Sequence, residues 1–206
     1  MADSALDVAV ELVRDPASLA RISEQWEELA RHAHEPGALH DPAITPALLA
    51  AGGSGFWCCL SWARDPERCD LPAALGGLFT LRRERNACGF PSWIVHTALV
   101  GAEGGQRHVA ALLDWLERSG AAVVEFRQVP RDGRLNEALV DVLGERTSTV
   151  HVREGATSGG GAGPGPRNLV IGLGAVGGMW VSMLPLLDRA RRRVASSRAV
   201  SRAVAA

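Results

Sequence analysis

The sequence predicts an α/β (α+β) domain: a mixed, largely antiparallel central sheet, helices packed on both of its faces, and a flexible C-terminal tail. Three observations carry that expectation. Gln106–Leu143 spells helix, strand and helix in quick succession, with a glycine or proline at each junction. Several apolar segments ahead of it have the length and texture of strands. After residue 155 a run of Gly, Ser, Ala and Pro interrupts the pattern, because such a composition cannot bury a core.

The elements follow in order. Val8–Val13 reads as a strand. Asp15-Pro16 is an N-cap and first-turn pair opening a helix in which Leu19, Ile22, Trp26 and Leu29 share one face. His32, His34 and His40 fall in the polar stretch that follows, where solvent-facing histidines are expected rather than a metal site. Thr45-Pro46 starts a short helix closed by Gly52-Gly53. Phe56–Ala63 and Ala73–Leu81 are apolar strands joined by polar Arg64–Leu71, and Arg82, Arg83 and Arg85 close the second of them. Trp93–Val100 is a further strand and leads into the glycine-rich turn Gly101-Ala-Glu-Gly-Gly.

Val109, Leu112, Leu113 and Leu116 then recur at i, i+3, i+4 and i+7, one apolar stripe of a helix that Gly120 ends. Val124 and Phe126 alternate with Glu125 and Arg127, the period of a half-buried strand. Pro130-Arg131-Asp132-Gly133 is a turn in which Asp132 is the expected N-cap. Leu135, Ala138, Leu139, Val142 and Leu143 form the next apolar face, with Gly144 as the expected stop. Thr147–Arg153 alternates once more as a strand. The expected organisation is a domain over residues 1–154, a linker over 155–167, and an apolar then Arg-rich helix or tail over 168–206.

Composition narrows the chemistry. With 47% hydrophobic and 22% charged residues the 206-residue chain is globular in character. A formal net charge of −1 argues against a nucleic-acid partner. The chain contains neither lysine nor tyrosine, which removes a P-loop lysine, a Schiff-base lysine and a tyrosine acid. Cys58 and Cys59 point to opposite faces of a strand, and Cys69 and Cys88 complete no C-x-x-C pair, so no metal is expected. The acidic N-terminus lacks the pattern of a secretory signal, which predicts a cytoplasmic protein.

Asn168–Val194 admits three readings. Gly172, Gly174 and Gly177 spell G-x-G-x-x-G, a dinucleotide fingerprint, yet no second strand ending in an acidic residue follows. Leu169–Leu187 carries no charge and is followed by Arg189, Arg191, Arg192 and Arg193, the layout of a membrane segment with contact through residues 169–193. The reading adopted is a loosely docked C-terminal helix with a basic end.

Trp26-Glu-Glu-Leu-Ala, Gly77-Leu-Phe-Thr-Leu-Arg-Arg-Glu-Arg, Leu112-Leu-Asp-Trp-Leu and Val124-Glu-Phe-Arg-Gln-Val-Pro lie in an order and texture that resemble the GNAT superfamily of acetyltransferases. The likeness extends over roughly residues 8–153 and is nearest to the bacterial group with cellulose-biosynthesis-type or BioF2-like acetyltransferase domains. In that group a cofactor-binding half follows the segment this chain covers, so the resemblance implies a shortened copy.

The resemblance also implies a GNAT-like fold, an acyl-CoA cofactor such as acetyl-CoA, and acyl transfer to a small-molecule amine. Backbone N–H groups of a glycine turn at a helix start would hold the pyrophosphate. Here that place is Gly101, Gly104, Gly105, Gln106 and Arg107. Glu125 and His96 are the candidate bases for the ammonium, and without tyrosine the leaving thiolate must be protonated by water, Cys or Ser, or by nothing. Two alternatives stand beside this one: a non-catalytic interaction or scaffold domain of the same fold, and a domain tethered to a membrane by Leu169–Leu187.

Overall fold

A computed structural model describes residues 7–33, 45–47, 56–64, 73–85, 89–101, 104–146, 148–154 and 166–185. Its strands are β1 (Asp7–Val13), β2 (Phe56–Arg64), β3 (Ala74–Arg85), β4 (Pro91–Val100), β5 (Val123–Val129), β6 (Thr149–Glu154) and β7 (Arg167–Gly172). The helices are α1 (Pro16–Ala20), α2 (Ser23–His32), α3 (Gly105–Arg118), α4 (Arg134–Glu145) and α5 (residues 174–185). All seven strands form one sheet in the order β1-β2-β3-β4-β5-β7-β6. Every neighbouring pair is antiparallel except β4 and β5, which α3 connects as a parallel crossover. The expected mixed, largely antiparallel sheet flanked by helices is therefore observed.

Local chemistry accounts for most element boundaries. Asp15 accepts from the amides of Ala17 and Ser18 at 2.9 and 3.1 Å, capping α1 with Pro16 in its first turn. The single helix expected from Leu19 to Leu29 divides instead at Arg21-Ile22, where the Ile22 amide turns back to the Leu19 carbonyl at 3.1 Å. Gly120, with φ +77°, ends the segment of α3 as expected. Two caps differ from expectation. Gly133 rather than Asp132 caps α4, since the Glu137 amide bonds to the Gly133 carbonyl at 3.1 Å and puts Asp132 one residue too early. Gly144 lies inside α4, which runs on to Glu145.

The core lies on both faces of the sheet. On one face α3 and α4 bury Val109, Leu112, Leu113, Leu116 and Leu139 against Phe79, Leu81, Trp93, Val95 and Phe126. On the other face there are two separate clusters. α1 and α2 set Leu19, Trp26 and Leu29 over Cys58, Leu60, Leu78 and Leu99. α5 sets Trp180, Val181 and Leu184 over Val123 and Val170. Cys58 and Cys59 thus belong to opposite faces, as their spacing on a strand requires.

The largest departure concerns the segment read as a tail. Arg167–Gly172 is β7, inserted between β5 and β6 and paired antiparallel with both. Leu169, Val170 and Ile171 are all buried, the continuous apolar run of a strand covered on two faces. A boundary at residue 154 is therefore too early, because the sheet closes only with residues beyond the glycine-rich stretch. The G-x-G-x-x-G glycines are explained by packing. A Cβ at Gly177 would stand 1.8 Å from the Ala122 carbonyl oxygen, and one at Gly172 would stand 2.5 Å from the Gly177 carbonyl carbon. Gly174 turns the chain with φ +60°.

Within Leu169–Leu187, residues 169–172 accordingly belong to the sheet and 174–185 to α5. No helix among the described residues is long and apolar enough to cross a membrane. The expectations for Gly52-Gly53, His34, His40, Cys69, Cys88, the linker over 155–165 and the Arg-rich run after residue 185 lie outside the described residues.

Candidate functional site

β4 and β5 pair only from Ser92–Val123 to Val95–Phe126. Beyond that point β4 stays with β3 as far as Val100–Gly77, and β5 stays with β7 as far as Val129–Arg167. The two strands part, opening a seam near the middle of the sheet. On the α2/α5 face this seam falls between the two hydrophobic clusters formed by the described residues.

His96 stands where the parting begins. Thr80 faces Thr97 and Leu81 faces Val95, which makes His96 the extra residue of a bulge in β4. Its ring packs on Phe56 at 5.3 Å between centroids. Its Nε2 is buried and has no hydrogen-bond partner among the described residues. Burial holds the imidazole below the ordinary histidine range, helped by the cations of Arg127 and Arg82 and opposed by Glu84 and Glu125. At neutral pH it is an uncharged base.

Across the seam, Glu125 and Arg127 alternate with buried Val124 and Phe126 on β5 and share the face of Val123. Arg127 donates from Nε to Glu125 Oε1 at 3.2 Å. On β3, Arg82 pairs with Glu84 at 3.2 Å and lies 5.5 Å from the centre of the Phe56 ring. His96 is thus ringed by two ion pairs of balanced charge. Gln128 follows with φ +57°, a left-handed conformation uncommon outside glycine, and its amide donates to Asn168 Oδ1 at 3.0 Å. That strain sits at the bulge where β5 slips register against β7, just past its last pair with β4.

The glycine turn at the far end of β4 is only partly what the sequence suggested. The Gly101 amide donates to the Gly76 carbonyl at 2.9 Å, so this donor is committed to the sheet and is withdrawn from the phosphate-binding set. Gly104 has φ +67° and caps α3. The Arg107 and His108 amides both return to its carbonyl, at 2.9 and 3.4 Å. The amides of Gly105 and Gln106 are the first of the helix, where no intrahelical acceptor exists. A Cβ on Gly104 would meet nothing within 4 Å, so the space beside it is open. Gly105 lies close to β4, with a Cβ there 3.1 Å from Val100 Cγ1. Gln106 is exposed and Arg107 half-buried.

The structure therefore brings His96 and Glu125 to one seam and places Gly104–Gln106 where the same β4 strand turns into a helix. The dipole of α3 favours negative charge at its start, and the seam holds an uncharged imidazole near a carboxylate. One pair of residues went unsignalled by the sequence. Ser61 Oγ and His108 Nδ1 lie 2.7 Å apart in the interior, between β2 and the first turn of α3. No spacing rule links residues on a distant strand and helix.

No family model matches the sequence, and no curated protein matches it either. Solved structures do share the fold. A probable acetyltransferase from Staphylococcus epidermidis aligns with a TM-score of 0.52 at 9% identity, covering 82% of this chain and 100% of that one. A diaminobutyrate acetyltransferase from Paenibacillus lautus, solved with L-2,4-diaminobutyric acid and coenzyme A, aligns at 0.50 and 13% identity over 82% of this chain and 96% of its own. At that identity the likeness is one of fold, and it is the fold that the resemblance to acetyltransferases implied.

Proposed function

We propose that the protein is an acyl-CoA-dependent N-acyltransferase acting on a small amine inside the cell. The observation that carries this is the parting of β4 from β5 at His96, with an open helix start at Gly104–Gln106 on the same strand. The group fits these residues: the amides of Gly105 and Gln106 and the dipole of α3 suit a diphosphate, and the open space beside Gly104 admits one. Bound there, acyl-CoA supplies an activated thioester carbonyl.

The chain's own groups do the rest. The uncharged imidazole of His96 takes a proton from the acceptor's ammonium, and Glu125, held by Arg127, favours the imidazolium that results. The freed amine would bond to the acyl carbon as the carbon–sulfur bond breaks. The second proton, shed by the nitrogen as the amide forms, would pass through water to the departing thiolate, since the chain has no tyrosine to supply one. Calorimetric titration with acetyl-CoA tests the reading: binding at micromolar to millimolar ligand is expected, and silence at millimolar ligand overturns it.

A second reading, a non-catalytic interaction domain on the same fold, is favoured by the Gly101 amide being committed to Gly76 and by the absence of tyrosine. The same titration separates the two.

A further inference from the structure

The chain is fastened to the sheet on either side of the glycine turn, and both contacts meet at Gly76. Gly101 donates to the Gly76 carbonyl at 2.9 Å just before the glycine turn. Just after it, the His108 ring lies flush against Gly76, so that a Cβ there would fall 2.0 Å from His108 Nε2. His108 Nδ1 and Ser61 Oγ are 2.7 Å apart, and both residues are buried. Gly77 completes the fit: its Cβ would lie 3.2 Å from Ser61 Cβ and 3.3 Å from His108 Cβ. Two consecutive glycines on β3 thus leave room for one imidazole, and Ser61 supplies the polar contact that fixes it. Ser61 sits where β2 slips register against β3, and that slip sets the hydroxyl's position on the strand.

A buried hydrogen bond between a strand and the fourth residue of a helix fixes the helix's rotation about its axis and its height above the sheet. Those two quantities decide where the amides of Gly105 and Gln106 point. We propose that Ser61 and His108 are positioning residues for an anion site at the start of α3, clamping the turn so that its amides converge on a diphosphate. The inference rests on the acyl-CoA reading and says which part of the site would depend on the clamp.

The test compares coenzyme A with pantetheine, which lacks the diphosphate, in calorimetry on the full chain. Ser61→Ala should weaken coenzyme A by about tenfold, the scale of one lost buried hydrogen bond, with pantetheine affinity unchanged within twofold. His108→Leu should do the same, and His108→Asn, which keeps a polar atom near the position of Nδ1, should restore most of the loss. The two His108 variants carry the test if Ser61→Ala does not fold. Unchanged coenzyme A binding in Ser61→Ala and His108→Leu overturns the clamp while leaving the acyl-CoA reading intact. Equal loss of both ligands also overturns it, since that marks general loosening. Failure of the wild type to bind coenzyme A removes the anion site and the clamp with it.

Discussion

Gly177 of α5 lies so close to Ala122 that a Cβ would stand 1.8 Å from the Ala122 carbonyl oxygen. That carbonyl already accepts the Leu173 amide at 2.9 Å, so it cannot move aside without breaking the start of the turn into α5. Gly→Ala in a helix interior ordinarily stabilises by about 1 kcal/mol. Here Gly177→Ala should destabilise by about 3 kcal/mol, the scale of overpacking against backbone. Gly178→Ala, whose Cβ meets the Thr149 side chain, with Oγ1 nearest at 3.2 Å, should cost far less. Urea denaturation of the two variants checks the difference; equal stabilities would mean that α5 does not pack as described.

His108 gives stability a pH dependence with a definite sign. Burial pushes its imidazole down to about 4, from 6.5 in the unfolded chain. The unfolded chain therefore binds a proton that the folded one refuses as pH falls below about 6.5. The stabilisation is full above that value and declines toward pH 4, by about 3 kcal/mol in all. Denaturation midpoints at pH 7.5 and 4.5, in the wild type and His108→Asn, isolate this share from the carboxylates. A wild type and variant that lose stability in parallel would contradict it.

His96 predicts the acid limb of catalysis. Its imidazole is held below the ordinary histidine range, chiefly by burial. kcat/KM should therefore stay level as pH falls to about 6.5 and drop only below it. His96→Gln should lower kcat by about a hundredfold and remove that limb. Glu125→Gln should lower kcat less and shift the limb to lower pH, since Glu125 favours the charged imidazole. An unshifted limb in His96→Gln would assign the proton to another group.

Cys58 and Cys59 should be inert in the folded protein. Burial pushes the Cys58 thiol up to about 12, and burial together with the neighbouring Cys58 pushes Cys59 higher still. In a Cys69→Ser/Cys88→Ser background, a thiol-reactive dye should label neither cysteine until denaturant is added. Rapid native labelling would show that a helix layer lifts from the sheet, α1 and α2 for Cys58 or α3 and α4 for Cys59.

Periodicity made most of the sheet and the α3–β5–α4 unit legible, because their apolar patterns report which side of each element meets the core. Val109, Leu112, Leu113 and Leu116 were identifiable as one buried face from spacing alone. The glycine turn could be read as a helix start, but not that Gly101 had already given its amide to Gly76. Hydrogen bonds between strands distant in sequence have no local signature. For the same reason His96 was visible as a strand histidine and not as the bulge where β4 leaves β5.

By itself the sequence determined element type, the apolar faces and the restricted chemistry of a chain without lysine or tyrosine, since each of these is a local property of residue type and spacing. Tertiary structure decided the rest. β7 inserts between β5 and β6 because pairing closes the sheet across a glycine-rich stretch that carries no record of its destination. Ser61 and His108 become partners because two glycines let a helix approach the sheet, an outcome set by packing in three dimensions.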